Sequence, residues 1–160
     1  VARTDPPRGR PAVTGAVHDD GAPRITGAGE IADTAELAPT AAALALLASG
    51  PTRLTGIGHL RGHETDRLAA LTAEAARLGI TVDEDETSLG FPGTDASGPL
   101  SPAALETYHD HRMATFAAVV GLRVPGTGIV DVATTAKTMP DFPALWTALV
   151  APGDAAEEAR

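Results

Sequence analysis

Four ionisable side chains stand close together just ahead of an apolar helical pattern. They are His63, Glu64, Asp66 and Arg67. The first turn of a helix carries partial positive charge and unpaired N–H groups, and an Arg there can bind phosphate or carboxylate through two parallel hydrogen bonds. The spacing therefore indicates an anion site at this helix start. A solvated helix start, capped by Thr65 or Asp66, is the alternative.

Two further cations stand in comparable positions. Asp110 is a suitable N-cap, and Arg112 follows it in the first turn of a later predicted helix. Lys137 follows a predicted strand and is the only lysine in the chain; the other 11 of the 12 cationic residues are arginines. Because Lys offers a compact ammonium where Arg offers a planar fork, the single Lys indicates a site that requires a point charge, with chance as the alternative.

A carboxylate precedes the most apolar helical pattern of the chain. Glu36 stands just before Pro39, which suits the first turn of a helix, and residues 41–49 are apolar nearly all round up to Gly50. Such a helix is expected to be buried. Glu36 is then either its cap, which is the commoner case, or a group aimed into a cleft.

The apolar patterns place these candidates at junctions between strands and helices. Strands and helices alternate, which favours an α/β structure with helices packed on a sheet, and in such folds ligands bind where strands lead into helices. Residues 83–86 read as a solvated acidic turn, 133–138 as a loop, and 88–100 carry no clear pattern. The predicted strands cover 24–31, 53–57, 80–82 and 128–132, and the predicted helices 39–49, about 63–79, 111–121 and 140–150.

Composition excludes several classes of function. The 160 residues are 43% hydrophobic with a net charge of −9, which is typical of a soluble globular domain and argues against a general nucleic-acid or anionic-membrane surface. The absence of cysteine excludes disulfides, thiolate nucleophiles and Cys-based zinc sites. The longest strongly apolar run, 41–48, is too short to span a bilayer. Residues 1–20 lack the apolar core of a signal peptide, so a cytoplasmic location is the default.

The two ends of the chain differ from its middle. Residues 1–22 are rich in Pro and Gly, which predicts an extended, mobile segment or the remnant of an upstream unit. Residues 151–160 form a polar tail that is expected to fray. The structured part is therefore expected to cover 23–150. The chain does not begin with Met, which is consistent with a fragment.

Four ordered motifs resemble a known family. In this order and spacing they are similar to the C-terminal portion of the 3-phosphoshikimate 1-carboxyvinyltransferases, the EPSP synthase family, and the first two resemble its actinobacterial branch. The resemblance covers about 36–146. The motifs are Glu-Leu-Ala-Pro-Thr from residue 36, Leu-Arg-Gly-His-Glu-Thr-Asp-Arg-Leu from residue 60, Asp-His-Arg-Met-Ala from residue 110, and Thr-Thr-Ala-Lys-Thr-Met-Pro-Asp-Phe-Pro from residue 134.

The resemblance implies both a fold and a reaction. The family has two domains of repeated βαβαββ units, which close on the substrates. It transfers the enolpyruvyl group of phosphoenolpyruvate to the 5-hydroxyl of shikimate 3-phosphate and releases phosphate, with no metal or organic cofactor. By motif position, Arg67, Arg112 and Lys137 would hold phosphoenolpyruvate, whose several negative charges require clustered cations.

The same resemblance implies roles for the acidic residues and one histidine. Glu36 and His63 would contact shikimate 3-phosphate, and Glu36 would accept the proton of its 5-hydroxyl. Glu64 is the implied donor of a proton to the methylene carbon of phosphoenolpyruvate. Many members carry Asp and Lys in place of Glu36 and His63, but the actinobacterial pattern has the residues found here. Removal of one proton and delivery of another suits two positioned carboxyl groups.

The length of the family implies that this chain is incomplete as an enzyme. Family members are more than twice as long, and their N-terminal domain supplies further contacts to both substrates. Residues 23–150 would then form part of one domain, and the chain alone is expected to have no appreciable activity.

Two other classes of function remain open from the sequence. One is a metal hydrolase, since His59 and His63 are four residues apart and His109 and His111 flank Asp110. If these side chains converged, they could bind zinc. The other is a non-catalytic or degenerate module that keeps the fold.

Overall fold

Short strands and helices alternate along the chain, as predicted. The computed structural model describes residues 15–17 and 23–151, with side chains from residue 25 onward. The strands are β1 (Gly15–Val17), β2 (Pro23–Ile25), β3 (Gly29–Ala32), β4 (Thr52–Thr55), β5 (Asp83–Glu84), β6 (Leu89–Phe91), β7 (Ala104–Leu105) and β8 (Gly128–Ile129). The helices are α1 (Ala38–Leu47), α2 (Arg67–Arg77), α3 (Thr94–Ser97), α4 (His111–Gly121) and α5 (Phe142–Val150).

One complete βαβαββ unit forms the centre of this structure. Its elements follow in the order β3, α1, β4, α2, β5 and β6, and its four strands make one sheet in the order β3-β4-β6-β5. The β3–β4 pair is parallel, whereas β6 pairs antiparallel with both β4 and β5. Strands β7 and β8 form a separate parallel pair, and β1 and β2 an antiparallel one. The α/β class and the repeat unit are thus confirmed.

The core extends from the sheet to helices α1, α2 and α4, and α1 packs closely against α4. Apart from Pro39 and Thr40 in its first turn, α1 is made of Ala and Leu, and its small side chains allow α4 to approach closely. From α4, Met113, Phe116 and Val120 enter the same core. Within the described residues, no helix is long and apolar enough to cross a membrane. Helix α1 ends at Leu47, three residues before the predicted Gly50, because Ala48 is extended.

Helix α2 begins later than its sequence pattern suggests. The first helical residue is Arg67, so His63 and Glu64 lie before the helix rather than in its first turn. Asp66 is extended, and its carboxylate accepts a hydrogen bond from the Ala69 N–H at 3.0 Å, which is the geometry of an N-cap. The capping role considered for Asp66 is therefore confirmed. Residues Gly58–Gly62 ahead of it form a 3-10 helix.

The predicted strand over 80–82 is wrong by about three residues. Gly79 adopts φ +89°, and the Ile80 N–H donates to the carbonyl of Ala75, so Ile80 belongs to the end of α2. Pairing with β6 begins only at Asp83. Residues 83–86 are largely exposed, as predicted, but they are not all turn, because strand β5 covers the first two of them. Arg53 and Arg61 bind their carboxylates.

Other boundaries also shift. The strand predicted over 24–31 is two strands, because Gly27 at φ +93° interrupts it. The strand predicted over 53–57 corresponds to β4. The strand predicted over 128–132 ends at Ile129, because the backbone of Asp131 is left-handed. A 3-10 helix over Val132–Lys137 follows where a loop was expected. Residues 88–100, left unassigned, contain β6 and α3. Of the segments 1–22 and 151–160, residues 15–17 form β1. The rest of the predicted mobile segment and nearly all of the predicted tail lie outside the described residues.

The apolar face of α2 provides a test of this packing. Leu71 is 1% exposed, so Leu71→Ala is expected to lower the free energy of unfolding by about 2–5 kcal/mol through loss of burial and the cavity left behind. Leu145 in α5 is 56% exposed, so Leu145→Ala is expected to change the free energy of unfolding by less than about 0.5 kcal/mol. Urea denaturation measures both, and equal effects would contradict the assigned core.

Candidate active site

A buried guanidinium lies at the centre of the candidate site. The side chain of Arg67, the first residue of α2, is 2% exposed and meets three carboxylates. Its Nε donates to Asp110 Oδ2 at 2.6 Å and its Nη1 to Glu36 Oε2 at 2.8 Å, while Nη2 lies 3.8 Å from Glu64 Oε2. Burial lowers the pKa of Arg67, but the hydrogen bonds to Asp110 and Glu36 outweigh it and raise the pKa above its ordinary value.

Asp110 joins the starts of two helices. Its Oδ1 accepts the backbone N–H of Arg112 at 2.8 Å and so caps α4, as predicted from the sequence. Its Oδ2 accepts the hydrogen bond from Arg67 of α2. Asp110 is fully buried, and a buried charge is tolerated only when it is paired and hydrogen-bonded. From the sequence, Asp110 was expected to cap α4, but its second contact, with Arg67, was not predicted.

Glu36 bridges the two guanidinium groups. Besides Arg67, its Oε2 contacts Arg112 Nε at 2.7 Å, and Arg112 Nη1 donates to the Glu36 carbonyl oxygen at 2.9 Å. His63 Nδ1 lies 3.3 Å from Glu36 Oε1. Partial burial raises the pKa of Glu36, but the hydrogen bond from Arg67 and the nearby charges of Arg112 and His63 bring it below its ordinary value. Glu36 therefore faces the cations and does not cap α1, whose N-cap position is Leu37.

The carboxylate of Glu64 contacts the remaining charged groups of the site. It forms an ion pair with Lys137, the last residue of the 3-10 helix over Val132–Lys137. It also lies 3.6 Å from His111 Nδ1 and 3.8 Å from Arg67 Nη2. Lys137 is the more exposed partner, with 63% of its side chain accessible. The site is thus buried at Arg67 and open at Lys137.

The structure brings together all the residues that the sequence analysis selected. They form one connected set of contacts, in which the carboxylates of Glu36 and Glu64 lie between the cations. His111 belongs to the same set and was missed, although its place beside Asp110 and Arg112 was a usable signal. The selected residues are Glu36, His63, Glu64, Arg67, Arg112 and Lys137.

The four histidines do not converge on a zinc site. The rings of His59 and His63 are 6.0 Å apart, whereas His109 is 92% exposed and pairs with Asp131. Among the described residues, the group with metal-ligand spacing is instead Glu64, Asp110 and His111. Both carboxylates of this group, Glu64 and Asp110, already contact Arg67. The positive charge of Arg67 would repel a metal ion bound between them. The arrangement does not favour the metal-hydrolase alternative.

The charges of the cluster balance internally. Arg67, Arg112 and Lys137 are matched by the carboxylates of Glu36, Glu64 and Asp110. Because Arg67 is buried and its guanidinium faces three carboxylates, an anionic ligand can reach Arg67 only by taking the place of one of them. Asp110 is fully buried, but Glu36 and Glu64 are partly exposed, so these two are the exchangeable partners.

Comparison with known proteins identifies the family. Residues 16–146 match the family model of EPSP synthase (3-phosphoshikimate 1-carboxyvinyltransferase). The chain belongs to the EPSP synthase family. It is 54% identical over 121 residues to the 3-phosphoshikimate 1-carboxyvinyltransferase of Kocuria rhizophila and 50% identical over 123 residues to that of Mycobacterium ulcerans, and each match covers 76% of this chain. The relative from Bifidobacterium longum is 45% identical over 134 residues, or 84% of this chain.

The solved structures agree with this assignment. An EPSP synthase structure from Acinetobacter baumannii matches 67% of this chain with a TM-score of 0.60 at 31% identity, and a second from the same organism has a TM-score of 0.58 at 29% identity. The matches span 26%, 28% and 30% of the three curated relatives and 25% of the first structure. This chain thus corresponds to less than a third of an EPSP synthase.

Removing one partner of the buried Arg67–Asp110 pair is expected to destabilise the fold far more than removing one partner of an exposed ion pair. Asp110→Asn keeps the size and an oxygen to cap α4 but leaves the Arg67 charge without a buried counter-ion, so we expect a loss of about 3–5 kcal/mol in the free energy of unfolding. Asp83→Asn is the control, because Asp83 pairs with Arg53 at 76% exposure and such pairs contribute about 0–1 kcal/mol. Denaturation in urea compares the two, and similar losses would reject the central role of the pair.

The lowered pKa of Glu36 predicts a pH dependence of stability. Because the folded-state pKa lies below the ordinary value of 4.5, ionised Glu36 stabilises the fold above pH 4.5, and this contribution is lost as the pH falls through the lowered pKa. The stability difference between wild type and Glu36→Gln is therefore expected to shrink as the pH falls below about 4.5. Urea titrations at stepped pH measure it. A difference that grows as the pH falls below about 4.5 would have the wrong sign.

Proposed function

We propose that this chain provides the phosphoenolpyruvate-binding part of an EPSP synthase. The reaction is transfer of the enolpyruvyl group to the 5-hydroxyl of shikimate 3-phosphate, with release of phosphate. The observation that supports this proposal is the cluster itself: Arg67, Arg112 and Lys137, 45 and 25 residues apart in sequence, contact two shared carboxylates. A small, multiply charged acid requires such clustered cations.

The two exchangeable carboxylates are proposed to be the acid–base groups. Glu36 is ionised, since its pKa is lowered, and it can accept the 5-hydroxyl proton. Its basicity is weak while Arg67 and Arg112 hold it. A phosphoenolpyruvate oxygen that took over those guanidinium bonds would remove the cause of the lowered pKa and make Glu36 a stronger base. Substrate binding would thereby activate the base that the next step needs.

The remaining roles follow from the positions in the cluster. Glu64 lies beside Lys137 at the open side of the site. It is proposed to take up a proton from solvent once a substrate anion has replaced it at Lys137, and to donate that proton to the methylene carbon. His63, in contact with Glu36, is proposed to bind shikimate 3-phosphate. Residues 23–150 are proposed to be part of one enolpyruvyl transferase domain, whose partner is the N-terminal domain of a longer protein. No metal or organic cofactor is assigned a step.

Titration with phosphoenolpyruvate tests the proposed exchange in the chain as given. Glu36→Gln removes the carboxylate that contacts Arg67 and Arg112. The variant is therefore expected to bind phosphoenolpyruvate about tenfold more tightly than wild type, a gain that corresponds to the free energy of about one charge-assisted hydrogen bond. Calorimetry or ¹⁵N chemical-shift titration gives the dissociation constants. Asp83→Asn is the matched control, because it also removes one negative charge but alters only a surface pair with Arg53.

The controls separate a specific site from general electrostatics. If Asp83→Asn tightens binding as much as Glu36→Gln, the effect is net charge alone and the exchange is rejected. Lys137→Gln is expected to weaken binding, since it removes a cation of the proposed site. Absence of binding in wild type and in Glu36→Gln would instead support a non-catalytic module that keeps the fold.

A further inference from the structure

Asp110 is placed in the site by a turn whose backbone is strained. Residues 107–110 form a four-residue turn that is closed by a hydrogen bond from the Asp110 N–H to the Thr107 carbonyl at 2.8 Å. Its two central residues, Tyr108 and His109, have φ of +53° and +57°. Left-handed backbone is uncommon outside glycine, and two successive non-glycine residues in this conformation need outside support.

A buried carboxylate supplies that support. The Tyr108 hydroxyl donates to Glu74 Oε1 at 2.6 Å, and the Glu106 N–H donates to Glu74 Oε2 at 3.0 Å. Glu74 is fully buried, although Glu is almost never buried in proteins unless it is paired. Burial and the hydrogen bond to Glu74 raise the pKa of Tyr108 to about 12, so its hydroxyl keeps its proton and remains a donor at neutral pH.

The same helix holds the turn at two points. Glu74 follows Arg67 by seven residues in α2, which is two helical turns, so both side chains project from one side. Arg67 binds Asp110, the last residue of the turn, and Glu74 binds Tyr108, one of its two central residues. A shift of Tyr108 would therefore move Asp110 relative to the guanidinium that it orients.

We propose that Glu74 and Tyr108 are positioning residues, which hold the turn so that Asp110 orients Arg67 for its anionic ligand. The ligand role of Arg67 rests on the proposed function. The link from Glu74 to Arg67 does not, because it concerns the geometry of the ligand-free chain. Neither Glu74 nor Tyr108 contacts the exchangeable carboxylates, and their effect on the site is transmitted through Asp110.

The ligand-free test measures hydrogen exchange at Arg67 Nε–H by ¹⁵N NMR. Tyr108→Phe keeps the ring and removes the hydroxyl bond to Glu74, so it is expected to accelerate exchange at Arg67 Nε about tenfold. Glu74→Gln is expected to act in the same direction. Asp83→Asn is the control, because it removes a charged contact with Arg53 at the exposed surface and alters no bond of Glu74, Tyr108 or Asp110. Its Arg67 exchange is expected to match wild type.

Two outcomes would overturn the inference. One is an unchanged Arg67 exchange rate in either folded variant, even with a lowered melting temperature, since the bond would then only stabilise the fold. The other is equal acceleration in Asp83→Asn. If circular dichroism shows that Tyr108→Phe does not fold, the Arg67 exchange rate in Glu74→Gln alone tests the inference.

A second measurement separates this inference from the proposed function. Titration with phosphoenolpyruvate is expected to give weaker binding in Tyr108→Phe than in wild type. If Arg67 is released in Tyr108→Phe but wild type does not bind phosphoenolpyruvate, the positioning role stands and the proposed function fails. If wild type binds and Tyr108→Phe binds equally well, the positioning role fails and the proposed function stands.

Discussion

The buried pair of Arg67 and Asp110 is the constraint on which the rest of the site depends. A guanidinium and a carboxylate that are both removed from water must meet each other with good geometry, because an unpaired charge there is far more costly than the pair. This requirement fixes the start of α2 against the start of α4. A hydrophobic pair of the same size could serve stability as well, so the ion pair is better understood as a device for orientation.

Around this fixed pair, the other charged groups are held less tightly. Glu36 and Glu64 are partly exposed and share Arg67, Arg112 and Lys137 between them. Ionic contacts near water are weak and exchangeable, in contrast to those in the interior. The site therefore combines one rigid cation with neighbours that a ligand can displace. Such a combination suits a step in which binding of an anion also changes the basicity of a carboxylate.

The sheet and the helix core explain why the rigid part stays rigid. One βαβαββ unit places α1 and α2 on the sheet, and α1 packs closely on α4 through small side chains. The turn ahead of α4 is left-handed at Tyr108 and His109 and is held by Glu74 of α2. Strain of this kind persists only where the surrounding structure determines it, and here it lies next to the residue that orients Arg67.

Features that depend on neighbouring residues could be predicted without a structure: the apolar face of α2, the caps Asp66 and Asp110, and the motifs that carry the site residues. Helical periodicity and capping depend on residues three or four apart, so they can be recognised without a fold. The three-dimensional arrangement was needed to show that Asp110 also binds Arg67, 43 residues away, that strand pairing begins at Asp83, and that Glu74 is buried. These features depend on which distant groups share one water-excluded interior, because a carboxylate can be buried only where the fold brings it a partner.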